Sequence, residues 1–210
     1  MGLILNTQTE GNCQLGIWKI TESLDELMSR ISLCSEDLET LERFSFLPRK
    51  LEWLSVRVLL NEMTQNNLNI IYNGNRKPFI KGNSYHISIS HSRDLTSILL
   101  SRDRLVGIDL EYMSHRISNL AHKFVNDDEF ITSDEEKRKY HLYIHWCAKE
   151  ALYKICDKQD INFKENLFIE AFQPLEKGDL KGWVKNSLRN EPFAMKYFNL
   201  GNYIVVWTCK

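Results

Sequence analysis

Two stretches constrain this chain more than any others: Val106-Gly107-Ile108-Asp109-Leu110-Glu111, and the run from Ile144 to Ile155. The first alternates as a strand does. Ile108 and Leu110 point to one face, while Asp109 and Glu111 point to the other, roughly 7 Å apart. In the second, Ile144, Cys147, Ala148, Ala151, Leu152 and Ile155 repeat at the spacing of an apolar helix stripe. Glu150 and Lys154 then share the flank of that helix. With that flank against the Asp109/Glu111 side of the strand, three carboxylates meet beside an ammonium. Such a cluster repels itself unless a hard cation sits within it, and an all-oxygen set suits Mg2+, which takes its remaining ligands from water and substrate phosphates.

The rest of the chain has to build a core around that pair. Its 210 residues, 43% of them hydrophobic, suffice for one domain or two small ones. Lys plus Arg total 27 against 28 for Asp plus Glu, which gives no reason to expect nucleic acid or a membrane surface as partner. No apolar run approaches the roughly 18 residues of a membrane span, and Met1 to Asn6 lacks the basic start of a leader, so a cytoplasmic protein is expected. The five cysteines, Cys13, Cys34, Cys147, Cys156 and Cys209, form no Cys-x-x-Cys pair and are expected to be reduced.

In order, residues 13 to 20 read as a strand and 22 to 42 as acidic helix. The sign then reverses: Arg43, Arg49, Lys50, Arg57, Arg76, Lys77 and Lys81 stand against only Glu52 and Glu62 up to residue 81. Pro48 opens a largely apolar helix, in which Arg57 needs either an internal carboxylate or an outside anion. Tyr85 to Ser90, Leu95 to Ser101 and the Gly107 strand read as an antiparallel meander. Ser90-His91-Ser92, at a strand end, offers hydroxyls, an imidazole and backbone N–H groups, a cup for a phosphate. Residues 117 to 139 read as helical, then 139 to 156 as the central helix. His141 and His145 fall on its opposite flank from Glu150, without the Glu of a zinc protease motif. Four strands fill the remainder, Tyr203 to Thr208 the clearest.

Taken together, Arg76-Lys77-Pro78, Ile89-Ser90-His91-Ser92, Gly107-x-Asp109-x-Glu111, Phe124 with Glu129, and Trp146-x-x-Lys149-Glu150-Ala151-x-x-Lys154 resemble the surfactin-synthetase-activating type of 4'-phosphopantetheinyl transferase. The resemblance covers roughly residues 40 to 156. It implies an α+β monomer of two similar halves, each a small antiparallel sheet packed with a long helix, a pseudo-dimeric fold. The division falls at 1–105, carrying the basic coenzyme A elements, and 106–210, carrying the metal strand and catalytic helix.

The resemblance further implies a holo-acyl-carrier-protein synthase activity: Mg2+-dependent transfer of the 4'-phosphopantetheine arm of coenzyme A to a serine of an apo acyl or peptidyl carrier protein, releasing adenosine 3',5'-bisphosphate. By motif, Asp109, Glu111 and Glu150 are metal ligands, and Glu150 and Lys154 are catalytic. Arg49, Arg57, Lys77, Pro78, Ser90, His91, Lys149 and Lys154 contact coenzyme A. Family members often carry a glycine-rich segment after the second lysine; here that stretch is Cys156-Asp157-Lys158-Gln159-Asp160. The alternatives are a non-catalytic relative that binds coenzyme A or a carrier, and a hydrolase using Ser90 or Ser92 with His91, for which no Gly-x-Ser-x-Gly elbow is present. Carriers commonly present an acidic helix, so the lysines near 137 to 139 are a first candidate for docking.

Overall fold

The computed structural model describes residues 2–114, 116–156, 161–187 and 189–210. The chain begins with β1 (Leu3–Thr9) and β2 (Cys13–Lys19), followed by two short helices, α1 (Leu24–Met28) and α2 (Ser35–Glu42). Helix α3 (Leu47–Thr64) starts with Pro48 in its first turn, where a missing N–H costs nothing, and ends at Gln65 in the left-handed conformation. A small hairpin, β3 (Ile70–Tyr72) with β4 (Pro78–Ile80), precedes β5 (His86–Ser92) and β6 (Leu95–Ser101). These strands form an antiparallel sheet in the order β1-β2-β6-β5. Leu54, Val58 and Leu59 of α3 are buried with Trp18 and Ile98 of that sheet.

The chain then crosses to a second antiparallel sheet. It comprises β7 (Val106–Tyr112), β8 (Leu167–Ile169), β9 (Lys177–Lys185), β10 (Asn190–Leu200) and β11 (Tyr203–Cys209), in the order β7-β11-β10-β9-β8. Between β7 and β8 run α4 (Ile117–Phe124) and α5 (Glu135–Ile155). Asp134 caps α5 by accepting from the Glu136 and Lys137 N–H groups, acids fill its first turn and Lys154 its last, all favourable to the helix dipole. The stripe from Ile144 to Ile155 is buried among Val206, Met195 and Tyr197. A third apolar cluster, including Leu15, Ile17, Leu99, Ile108, Leu110 and Val205, fuses the two sheets.

Several expectations are revised. The meander stops at β6: β7 pairs with β11 rather than β6, and it only packs beside β5. The helical stretch expected over 117–139 is interrupted: α4 ends at Phe124, a loop whose Glu129 is used as an internal acceptor follows, and 135–139 is already the start of α5. The acidic run from 22 to 42 breaks into two helices, and β1 is an additional strand. Cys13 and Cys209, 196 residues apart, are joined as a disulfide, correcting the expectation of five reduced thiols; Cys34, Cys147 and Cys156 are free. The sequence kept this pair hidden because only the packing of the two sheets brings β2 beside β11. The Asp157 to Asp160 stretch that departs from the glycine-rich pattern lies outside the described residues. No helix among the described residues is long and apolar enough to cross a membrane.

Candidate active site

Strand β7 is buried between α5, β5 and β11, so its carboxylates do not lie on a solvated face: Asp109 is only 4% exposed. What allows this is a ladder of serines on β5. Alternate residues of a strand share a face, and Ser88, Ser90 and Ser92 use it to reach three successive points on β7. Ser88 Oγ accepts from the Ile108 N–H at 3.0 Å, Ser90 Oγ donates to Asp109 Oδ1 at 2.8 Å, and Ser92 Oγ donates to Glu111 Oε2 at 2.8 Å. Burial of two acids side by side disfavours their charge. Burial, and then the Asp109 charge, push the Glu111 carboxyl above its ordinary value, against the pull of Ser92, Lys154 and Trp146.

The helix supplies the counter-charge. Lys154 Nζ donates to Asp109 Oδ1 at 2.7 Å and to the Ile108 carbonyl at 2.9 Å. With Lys154 on Asp109, and Trp146, two turns earlier, close enough to pull on the Glu111 carboxyl, the 146/150/154 line of α5 is the flank that faces the carboxylates. Glu150, half-buried, sits on that line between them. Glycine at 107 is what lets the helix come so close: a Cβ there would collide with the Ala151 carbonyl oxygen. Cys147 is fully buried, its thiol pushed well up by burial and then by the Asp109 and Glu111 charges.

Do these groups suit a divalent cation? Asp109 Oδ2 is buried and has no hydrogen-bond partner, an oxygen in need of one. The donors are all carboxylate oxygens, the chemistry of Mg2+ rather than zinc. Among the described residues no three His, Cys, Asp or Glu side chains already stand together as a metal group. The carboxylate pair with its orphaned oxygen fits a cation that completes its shell from a phosphate ligand.

Beside this pair opens a cavity of about 160 Å³ that gathers Arg49, Arg57, Lys77, Pro78, His91 and Lys154, six of the eight residues expected to meet coenzyme A. Arg76, Trp53 and Glu52 line it too. Arg49 Nη1 donates to His91 Nε2 at 3.0 Å and to Glu52 Oε2 at 3.1 Å, which makes His91 a neutral imidazole with its proton on Nδ1. Burial pushes the His91 pKa down, only partly countered by Glu52. Arg57 settles the choice left open by its helix: it donates twice to Asp37, at 2.9 and 3.2 Å, and stacks over Trp53. Its edge still borders the cavity.

Two residues are placed otherwise than expected. Ser90 turns its hydroxyl onto Asp109 instead of the cavity. Lys149 is fully buried, its ammonium bonded to the Phe124 carbonyl (2.6 Å), Glu129 (2.7 Å) and the Phe163 carbonyl (3.2 Å), so no donor remains for coenzyme A. His141 and His145 are buried among Phe130 and Phe172. Sequence reading quoted Arg76 in a motif without giving it a place in the cavity, and it missed the hold of Ser92, and the pull of Trp146, on Glu111. Arg76 was signalled by its place beside Lys77; the other two depend on which strand faces which helix.

Residues 105–205 match the 4'-phosphopantetheinyl transferase superfamily. The matched stretch holds β7, α4 and α5 and most of the C-terminal sheet, with all four of Asp109, Glu111, Glu150 and Lys154. Two curated relatives are each called 4'-phosphopantetheinyl transferase AcpT. One, from Salmonella typhi, is 29% identical over 112 residues; the other, from Salmonella typhimurium (strain LT2), is 30% identical over 112 residues. Each match covers 50% of this chain and 58% of the relative, so the chain spans less than two thirds of the curated relatives' length. The cavity residues before 105 lie outside the superfamily match.

Proposed function

We propose that this protein transfers the 4'-phosphopantetheine arm of coenzyme A to a serine hydroxyl of an acyl or peptidyl carrier protein, leaving adenosine 3',5'-bisphosphate. The observation that carries this is Lys154: one ammonium both lines a cation-rich cavity and bonds the buried carboxylate of a superfamily-matched domain. A polyanion held in the cavity has its reacting phosphate against the carboxylate pair. We further read the chain as the surfactin-synthetase-activating type, a monomer of two halves divided at 105/106, a reading supported by the way the two sheets split at that point.

In this reading Asp109, Glu111 and Glu150 hold Mg2+, which when bound neutralises charge on the pyrophosphate. A serine hydroxyl is a weak nucleophile, so Glu150, on the flank facing the carboxylates, takes its proton. Lys154 stabilises the charge left on the departing phosphate. Ser90 and Ser92 keep the carboxylates oriented. Arg49 and His91 meet phosphate oxygens, and Lys77 with Pro78 lines the adenine. The hydrolase reading loses ground: Ser90 bonds Asp109 while His91 bonds Arg49, so neither activates the other.

The test is intact-protein mass spectrometry of an apo carrier incubated with this protein, coenzyme A and Mg2+, beside EDTA and Glu150→Gln controls. A phosphopantetheine mass gain that both controls abolish is expected. Coenzyme A binding without any gain across several unrelated carriers would support a binding relative instead.

A further inference from the structure

We propose that Arg76 is the residue by which the cavity reads the ribose 3'-phosphate, and so distinguishes coenzyme A from 3'-dephospho-coenzyme A. This role rests on the transferase reading above and belongs to a residue that reading leaves unassigned. Five cations line the cavity, Arg49, Arg57, Arg76, Lys77 and Lys154, with Glu52 the one acid beside them among the described residues. Four of the five are already engaged. Arg49 bonds Glu52 and His91, Arg57 bonds Asp37, Lys154 bonds Asp109, and Lys77 has an interaction of its own. Only the Arg76 guanidinium has no hydrogen bond, ion pair or ring contact among the described residues, so its fork of N–H donors is open to an anion at the cavity rim.

An unpaired arginine on an exposed turn is ordinary; the backbone beneath this one is not. Arg76 has φ +58°, in the left-handed region where a long side chain is uncommon and glycine is at ease. The turn between β3 and β4 keeps it there. Asn73 Oδ1 accepts from the Asn75 N–H at 3.0 Å and the Lys77 N–H at 2.9 Å, the Arg76 N–H donates to the Asn73 carbonyl at 2.9 Å, and the Asn73 N–H donates to the Lys77 carbonyl at 3.1 Å. Every one of those bonds is made by main chain or by Asn73, and glycine at 76 would make them with less strain. A residue that strains a turn without helping to hold it points to a use outside the turn.

Position selects the phosphate. Coenzyme A carries two separate anionic groups, the pyrophosphate and the 3'-phosphate on the ribose beside the adenine. Arg49, His91 and Lys154 converge from α3, β5 and α5 near Asp109, where the pyrophosphate belongs. Tyr72, Arg76, Lys77 and Pro78 form the wall supplied by the hairpin. With Lys77 and Pro78 lining the adenine, the anion nearest to the residue before them is the one on the attached ribose. A guanidinium meets a phosphate through two parallel N–H bonds and keeps its charge at any working pH.

The experiment is calorimetric titration of the protein, with Mg2+ present, against coenzyme A and against 3'-dephospho-coenzyme A, using wild type, Arg76→Gly and Arg76→Lys. Expected is a wild type that prefers coenzyme A, and an Arg76→Gly variant whose Kd for coenzyme A rises about tenfold while that for 3'-dephospho-coenzyme A stays within about twofold. Arg76→Lys keeps the charge but not the fork and recovers part of the loss. The Tm of Arg76→Gly stays level or rises, since glycine accepts the backbone conformation; a fallen Tm would make Arg76 part of the turn and overturn the proposal. An unchanged ratio of the two Kd values in Arg76→Gly overturns it as well, and if both values rise together the arginine belongs to the pyrophosphate. A wild type that binds both ligands equally has the same consequence. In each of those cases carrier modification by the wild type leaves the transferase reading standing, whereas a wild type that binds neither ligand overturns both.

Discussion

Lys149 and Glu150 are neighbours in the chain with opposite assignments. Each residue of an α-helix turns about 100° from the last, so once the 146/150/154 line faces β7, Lys149 is carried round into the core. There its ammonium meets Glu129, which also accepts from the Asn126 and Ile169 N–H groups. Burial pushes the Lys149 pKa down, Glu129 holding it up in part; Glu129, for its part, stays below the ordinary carboxylate value because His145 and Lys149 outweigh its burial. Lys149→Met leaves that carboxylate buried without its cation and is expected to cost about 3–5 kcal/mol, read as a lowered denaturation midpoint. If coenzyme A affinity fell while the midpoint stayed put, Lys149 would be a ligand after all. The sequence showed that both lysines belong to a motif, yet motif membership alone does not say which way a side chain points.

At the scale of elements, the site is the contact of one strand with one helix, and Gly107 sets how close they come. Gly107→Ala drives a Cβ into the α5 backbone at Ala151 and against Ile155. Overpacking of this kind costs roughly 1–3 kcal/mol, and here it also moves Glu150 and Lys154 away from Asp109 and Glu111. The expected result is a lowered Tm with a larger loss of transfer rate than of coenzyme A affinity. Gly74→Ala, where a Cβ meets nothing within 4 Å, serves as the neutral comparison. Helices α3 and α5 and strands β5, β6, β7 and β11 were legible because their apolar periodicity is strong and their ends are marked by Pro, Gly or capping residues. The turn after β6 was misread because a hairpin and a crossover between two sheets look alike in a short polar stretch.

Across the whole molecule, the core around α5 contains a buried pair of histidines. His141 accepts the Thr132 N–H at Nδ1 and is pushed down from its ordinary 6.5 to about 4, by burial first and then by His145 and Arg138. His145 is pushed down by burial as well. The unfolded chain therefore takes up a proton near 6.5 that the folded chain refuses until about 4. Stability is full above the unfolded value and drains as pH falls through that window, by about 3 kcal/mol for His141 alone. Thermal unfolding followed from pH 7 to 4 should show a falling Tm. His141→Gln, which keeps an acceptor for the Thr132 N–H, should flatten that fall; an identical slope in the variant would move the acid sensitivity elsewhere.

By itself the sequence determined which strand and which helix present the carboxylates and the lysine, and on which face of each they lie. Gly107, Asp109, Glu111, Glu150 and Lys154 are fixed by local periodicity, since a strand alternates and a helix repeats whatever surrounds it. Tertiary structure decided everything that needs a second element. It chose Asp37 as the partner of Arg57, turned Lys149 inward, pinned the carboxylates with serines from β5, and joined Cys13 to Cys209. Each of those outcomes depends on the relative placement of elements distant in sequence, which is set by how three apolar clusters close against one another and by no local pattern.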